Sequence, residues 1–361
     1  MNTATLSKEE LNGIDFDALE NAVVAPANKK QIIIDHIRDN GIPSAGPDLA
    51  LFQNDGIVIK DDFASYLGNV DFYSTGSFAK LANGTPLDWL YDTMDGLKAE
   101  LEKYKDRSSF ELGTFVHEAI LEPEKWDSVV CEPQASRASH EGLDTLLNFW
   151  DLLTIGPGTY ELEMPKDAKL NTKKEVLELL IAGSGKRAID MKSALIVQRL
   201  HERWKAYQNG LWAGILNAAH REVSIYCNDY IGMPMRVRPD GLLFADQIGV
   251  NAVVSVKTTA ATSVKQYARD FVKFGYDIKE AAYQKIVSKV TGVDFSTTIM
   301  IVLSTAEPFH VGVFILDDGE MKFANQRFET AVMLAHTCNQ MDSYPGWEGV
   351  EEMGIIDLNV Y

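Results

Sequence analysis

Apolar and polar positions keep two rhythms along this chain, and the change from one to the other divides it. Before Arg221 the apolar residues recur mostly at helical spacing. "SKEELNGIDFDALENAVV" and "NKKQIIIDHIRDNG" read as short amphipathic helices, and the Gly/Pro-rich "GIPSAGPD" separates them from the next segment. "STGSFAKLANGTPLDWLYDT" reads as a helix, a turn and a second helix. "SSFELGTFVHEAILEP" predicts a stronger helix, with Ser108 and Glu111 spaced as a capping box and Pro123 beyond its end. Residues 140–218 are expected to be largely helical, interrupted at "TIGPGTYELEMP" and "AGSGKRA".

After Arg221 the period drops to two. "REVSIYCN" alternates, "GMPMRVRPDGLLF" reads as its hairpin partner, and "AVVSVK" comes next. Helices are expected at about 262–274 and 277–290, each ended by a glycine (Gly275, Gly292). "STTIMIVLS" and "HVGVFIL" predict two more strands, and residues 318–341 a long helix. This order predicts an α/β or α+β domain with one mixed central sheet flanked by helices. Residues 1–65 form an expected N-terminal helical appendage, and 66–361 the main domain, with its helical insert at about 140–218.

With 361 residues, 46% of them hydrophobic, the chain can build a full core. No run of about eighteen apolar residues predicts a membrane span, and the polar, acidic "MNTATLSKEELNG" lacks the features of a signal peptide. Cys131, Cys227 and Cys338 are far apart, so a reduced, cytoplasmic protein without structural zinc is expected. The net charge of −18 speaks against phosphate binding at first sight. Its distribution changes that picture: Asn251 to Thr291 holds seven basic residues against three acids. A basic groove on an acidic body and a merely solvated helix face both account for this.

Candidate chemistry gathers around "RVRPDGLLFADQIGVNAVVSVKTT". On a strand, Val253, Ser255 and Lys257 share one face. Asp240, behind the restrictive Pro239, ends the neighbouring strand, so an acid and a lysine converge on one spot. Phosphodiester hydrolysis needs such a pair: carboxylates hold Mg²⁺, and a lysine positions water or stabilises developing charge. By itself the spacing is weak, since a turn Asp and a strand-end Lys produce it too. "AGSGKRA" has too few residues between its glycines for a phosphate-binding loop, and no apolar strand precedes it.

Other stretches fall in a telling order. The chain resembles the PD-(D/E)xK nuclease superfamily, and within it the exonuclease VIII (RecE-like) group of phage and prophage exodeoxyribonucleases. "STGSFAKLANGTPLDWLYD" resembles that group's opening element, and "LGTFVHEAILEPEKW" its histidine helix, matching His117. "REVSIYCNDYIGMPMRVRPD" matches Glu222 and Asp240, and "VVSVKTT" matches Lys257, Thr258 and Thr259. "YDIKEAAY" is similar to a Y-x-x-Q-x-x-x-Y helix, matching Tyr276 and Tyr283, and "YPGW" to a late W-P-G-Y element.

The resemblance implies a restriction-endonuclease-like core and a Mg²⁺-dependent (or Mn²⁺-dependent), ATP-independent exonuclease acting 5′ to 3′ on double-stranded DNA ends. It implies Asp240, His117 and Glu222 at the metal, and Lys257, Asp240 and Ser255 at the catalytic positions. Thr258, Thr259, Lys279, Tyr276 and Tyr283 would then bind phosphate or support the site. A homo-oligomer, a RecT-like annealing partner, a phage or prophage origin and a bacterial cytoplasmic setting are implied as well.

Two positions depart from the pattern. Ser255 stands where the second acid is expected, and Lys279 where the helix glutamine is expected. Losing a carboxylate and gaining an ammonium shifts a cation site toward an anion site. Three readings are open. Ser255 is an engineered inactivating substitution, or another acid (Asp246 or Glu280) has taken over the ligand role, or the protein is a catalytically inactive nuclease fold that binds DNA or a protein partner.

Overall fold

The computed structural model describes residues 28–93, 108–154 and 168–347. The first expected helix, within residues 1–27, and most of "TIGPGTYELEMP" lie outside them, as do the side chains of Ser108–Phe110 that would test the capping box.

Eleven strands are described. They are β1 (Gly56–Ile59), β2 (Tyr73–Ser74), β3 (Val129–Cys131), β4 (Arg187–Ile189), β5 (His220–Arg221) and β6 (Ser224–Tyr230). Then come β7 (Met233–Val237), β8 (Gly241–Leu243), β9 (Ala252–Thr259), β10 (Thr298–Ser304) and β11 (Val311–Leu316). The principal helices before β5 are α1 (Lys29–Asn40), α2 (Phe63–Gly68), α3 (Thr75–Asn83), α4 (Pro86–Thr93), α5 (Ser108–Leu121), α6 (His140–Thr154), α7 (Leu170–Ser184), α8 (Met191–Ala206) and α9 (Leu211–Ala218). After it come α10 (Val264–Lys273), α11 (Tyr276–Thr291) and α12 (Asp318–Met341).

The fold is α/β with mixed sheets flanked by helices, but the expected single sheet is divided into two ladders. One has the order β1-β6-β7-β2 and the other β11-β10-β9-β8-β5. They meet at Arg238–Asp240, between the end of β7 and the start of β8. Pro239 has no N–H to continue a ladder, so the chain leaves one sheet there and enters the other.

In the second sheet β9 and β10 run parallel, and β9 is buried on both faces, which explains its unbroken apolar run. Val254 and Val256 pack with Val116 and Ile120 of α5 and Val197 and Leu200 of α8. On the opposite side Val253 joins a core with Ile278, Ala281 and Ala282 of α11 and Phe328 of α12.

The expected helical insert divides in the same way. α6 and α7 pack on each other through Leu146, Trp150, Leu177 and Leu180 as a satellite core. α8 and α9 bury Leu200, Trp204 and Ile215 in the main body. The stretch before residue 65 is not all helix: β1 pairs antiparallel with β6, and Ile33 and Ile37 of α1 are buried in the main core. No helix among the described residues is long and apolar enough to cross a membrane.

Candidate active site

Asp240 occupies the crossing between the sheets. Its carbonyl accepts the Glu222 N–H at 3.3 Å, and its carboxylate accepts the N–H of Val256 in the middle of β9. Glu222, between β5 and β6, has φ 56°. This left-handed conformation costs an L residue about 1–3 kcal/mol, and such strain persists only where surrounding contacts hold it. α5 approaches from the other side. Gly113 lets the helix come close to β9, because a Cβ there would lie 3.1 Å from Thr258 Oγ1. One turn on, His117 faces the same way.

These three elements bring His117, Glu222 and Asp240 together. His117 Nε2 is 3.0 Å from Asp240 Oδ1 and 3.7 Å from Glu222 Oε1. One potential ligand atom from each residue lies within 4.8 Å of the other two. Arg238, 8% exposed, fixes the glutamate: its Nε donates to Glu222 Oε2 at 3.0 Å and its Nη1 to Asp61 Oδ1 at 2.8 Å. The other glutamate oxygen, Oε1, is buried and accepts no hydrogen bond. A buried acceptor without a donor, aimed at an imidazole and a carboxylate, fits a cation. A cleft of about 380 Å³ lined by Phe63, Gly113, His117, Glu222 and Thr258 gives access.

Lys257 stands on the other side of Asp240. Its ammonium lies 3.9 Å from Asp240 Oδ2 and 3.4 Å from Glu280 Oε1. Glu280 comes from α11, is fully buried, and accepts a hydrogen bond from Ser255 Oγ at 2.7 Å. The carboxylate missing at position 255 is therefore present in space, delivered by a helix and held by the hydroxyl that stands in its place. Asp246, the alternative acid, is exposed on a four-residue helix.

The charges result from these contacts. Burial opposes ionisation of Asp240, but His117, Lys257 and the Val256 N–H outweigh it and hold its carboxyl below the ordinary value. Burial also disfavours a charged His117, yet the Asp240 and Glu222 carboxylates raise it above its usual range. Burial lifts Glu222, with Asp240 repelling its charge. Lys257 loses solvation too, but Glu280 and Asp240 raise it, so its ammonium stays charged. Glu280 is raised by burial, against the pull of Lys257 and Ser255.

The remaining candidates separate. Thr258 lines the cleft, whereas Thr259 closes the strand end: its Oγ1 accepts the Ala261 N–H at 3.0 Å and its carbonyl the Thr305 N–H. Tyr283 is half-buried, and its hydroxyl is raised by burial and by the Asp240 and Glu280 charges. Lys279 is half-buried, with its ammonium 5.7 Å from the Tyr276 ring centroid, and is lowered by burial and by Lys257. Sequence reasoning missed Arg238 and Asp61. The signal for Arg238 was an arginine between Val237, at the end of β7, and Pro239, a position that requires a partner once it is buried.

Residues 91–353 match the model of a family described as "PDDEXK-like domain of unknown function (DUF3799)". A crystal structure titled "Putative exonuclease", from Eubacterium rectale, is 13% identical with a TM-score of 0.46, over 80% of this chain and 90% of that one. No curated protein sequence matches the chain.

Proposed function

Because the chain belongs to the PDDEXK-like family DUF3799, within the PD-(D/E)xK nuclease superfamily, we propose that it is a divalent-cation-dependent nuclease that hydrolyses double-stranded DNA from its ends. Family membership supports nuclease chemistry. End dependence, 5′ to 3′ direction and the choice of duplex DNA rest on the RecE-like resemblance. The observation that carries the reading is the meeting of His117, Glu222 and Asp240, with the Lys257 ammonium 3.9 Å from the shared aspartate.

His117 Nε2, Glu222 Oε1 and Asp240 Oδ1 would hold the cation. When bound, it supplies charge neutralisation at the scissile phosphate and a more acidic attacking water. The buried, charge-paired Lys257 keeps its proton and is a poor base. Its role is electrostatic: it opposes the negative charge that grows on the phosphoryl oxygens as water adds to phosphorus and the bond to the leaving oxygen breaks. Glu280 keeps that ammonium charged and directed, and Ser255 orients Glu280. One imidazole beside two carboxylates suits Mn²⁺ at least as well as Mg²⁺. Glu280 beside Ser255 favours the active reading, as a carboxylate that holds Lys257 outside the His117, Glu222 and Asp240 cluster.

The test is degradation of end-labelled linear duplex beside covalently closed circles in Mg²⁺ and Mn²⁺. Linear DNA should be degraded, circles should be spared, and Asp240→Asn should abolish cutting. Circles cut as fast as linear DNA would rule out end dependence. Salt-sensitive duplex binding with no cleavage in either metal would establish the inactive alternative.

A further inference from the structure

A second cavity, of about 260 Å³, opens at the C-terminal ends of β9 and β10. Its walls include Thr259, Tyr267, Val302, Ser304, Gly312 and Phe314. The strand register places it relative to the active site. Ser255 is opposite Met300, which is opposite Phe314, and Lys257 is opposite Val302, which is opposite Gly312. Residues opposite one another point to the same face, so the cavity continues the face that carries Lys257. Its far wall lies two strand spacings away, roughly 10 Å.

The chemistry of the walls narrows the ligand. Tyr267 and Phe314 stack at 6.0 Å with 28° between their planes. The tyrosine is fixed by its hydroxyl, 2.9 Å from Met300 Sδ. Gly312 leaves room for the phenyl ring, since a Cβ there would lie 3.0 Å from Phe314 Cε2. Most polar groups at the walls are already occupied: Ser304 Oγ donates to Ala261 O, Thr259 Oγ1 accepts the Ala261 N–H, and Ser263 Oγ caps Gln266 N, which leaves the exposed His310 imidazole at the rim. The site therefore offers aromatic faces and few free hydrogen-bonding groups. On the side of α10 turned away from Tyr267, Lys265, Arg269 and Lys273 are exposed, and none of them forms an ion pair among the described residues. Three cations without carboxylate partners on a protein of net charge −18 select a polyanion.

We propose that this cavity takes one nucleobase of the DNA strand, next to the nucleotide whose phosphate reaches Lys257, with the α10 cations along the flanking phosphates. The inference rests on the nuclease reading and adds where the strand runs. With few free edge-reading groups, stacking is sequence-tolerant, as expected of an enzyme that degrades any sequence.

The test uses the full-length protein in EDTA, with duplexes carrying 2-aminopurine at successive positions from one end, read by fluorescence and by anisotropy. One position should change its fluorescence on binding. Phe314→Leu, which retains apolar packing, should lose that change and weaken binding about 5- to 50-fold. Gly312→Val, which crowds the Phe314 ring from two residues back on the same strand, should do the same. Either variant keeping both the signal and the affinity, with its melting temperature unchanged, overturns the proposal. Absence of linear-duplex cleavage by the unmodified protein in both Mg²⁺ and Mn²⁺ overturns the nuclease reading itself, a different result.

Discussion

Replacing Glu280 by Gln removes one charge from a buried cluster while keeping the side-chain shape and the 2.7 Å contact with Ser255 Oγ. The Lys257 ammonium is 3.4 Å from Glu280 and 3.9 Å from Asp240. At an effective dielectric of ~20, each contact corresponds to roughly 4–5 kcal/mol of attraction before desolvation is subtracted. Relief of a buried carboxylate offsets much of that, and Asp240 still pairs the ammonium. The net loss of stability should be about 1–3 kcal/mol, below what stripping a buried ion of its only partner costs. Catalysis should suffer comparably, with cleavage slowed about 100-fold, or ~2.7 kcal/mol of transition-state stabilisation.

Ser255→Asp alone should not help, since it sets a second carboxylate against Glu280 and the like charges repel in a buried space. Combined with Glu280→Gln, it moves the acid from helix to strand and should recover about 10-fold over Glu280→Gln alone, a coupling that a double-mutant cycle measures. The assay is single-turnover cleavage of end-labelled duplex in Mn²⁺, beside urea denaturation. Unchanged cleavage by Glu280→Gln, or a double variant no faster than the single one, would refute the reasoning.

Three further outcomes are expected. Mn²⁺ should support cleavage at lower concentration than Mg²⁺, because imidazole is a better ligand for the softer ion; titration of both metals checks this, and an exclusive preference for Mg²⁺ counts against His117 as a ligand. Asp61→Asn should loosen the Arg238 hold on Glu222 and weaken Mn²⁺ binding about 10-fold in calorimetry; an unaltered affinity would mean that the Asp61–Arg238 contact does not orient the site. His117 has a raised folded-state pKa, so its contribution to metal-free stability is full below about 6.5 and lost as pH rises through the raised value. Melting temperature without metal should fall over that window and His117→Gln should flatten the fall, whereas a rise over the same window contradicts the assignment.

Much of the fold was legible because burial on two faces leaves a plain mark. The apolar run of β9 and the helical periodicity kept over the 24 residues of α12 survive any tertiary context. β1 was hidden, because an edge strand of four residues with Ile57 and Ile59 exposed carries no alternation to read. The split of the sheet was hidden too: Pro239 marks an interruption, but the choice between a bend and a new ladder is made by the side chains packed beneath it.

Within the site, Asp240 and Lys257 could be paired from strand alternation alone. Glu280 could only be offered beside Asp246, because no spacing rule joins residue 255 of a strand to residue 280 of a helix. Packing of α11 against β9 is what brings Glu280 to Ser255. Asp61 was beyond reach for the same reason: its contact with Arg238 spans 177 positions of sequence.

The most direct measurement is anomalous X-ray scattering from crystals of the protein soaked in Mn²⁺. One peak is predicted within coordination distance of His117 Nε2, Glu222 Oε1 and Asp240 Oδ1. A fully occupied peak elsewhere, or none at saturating metal, would contradict the account.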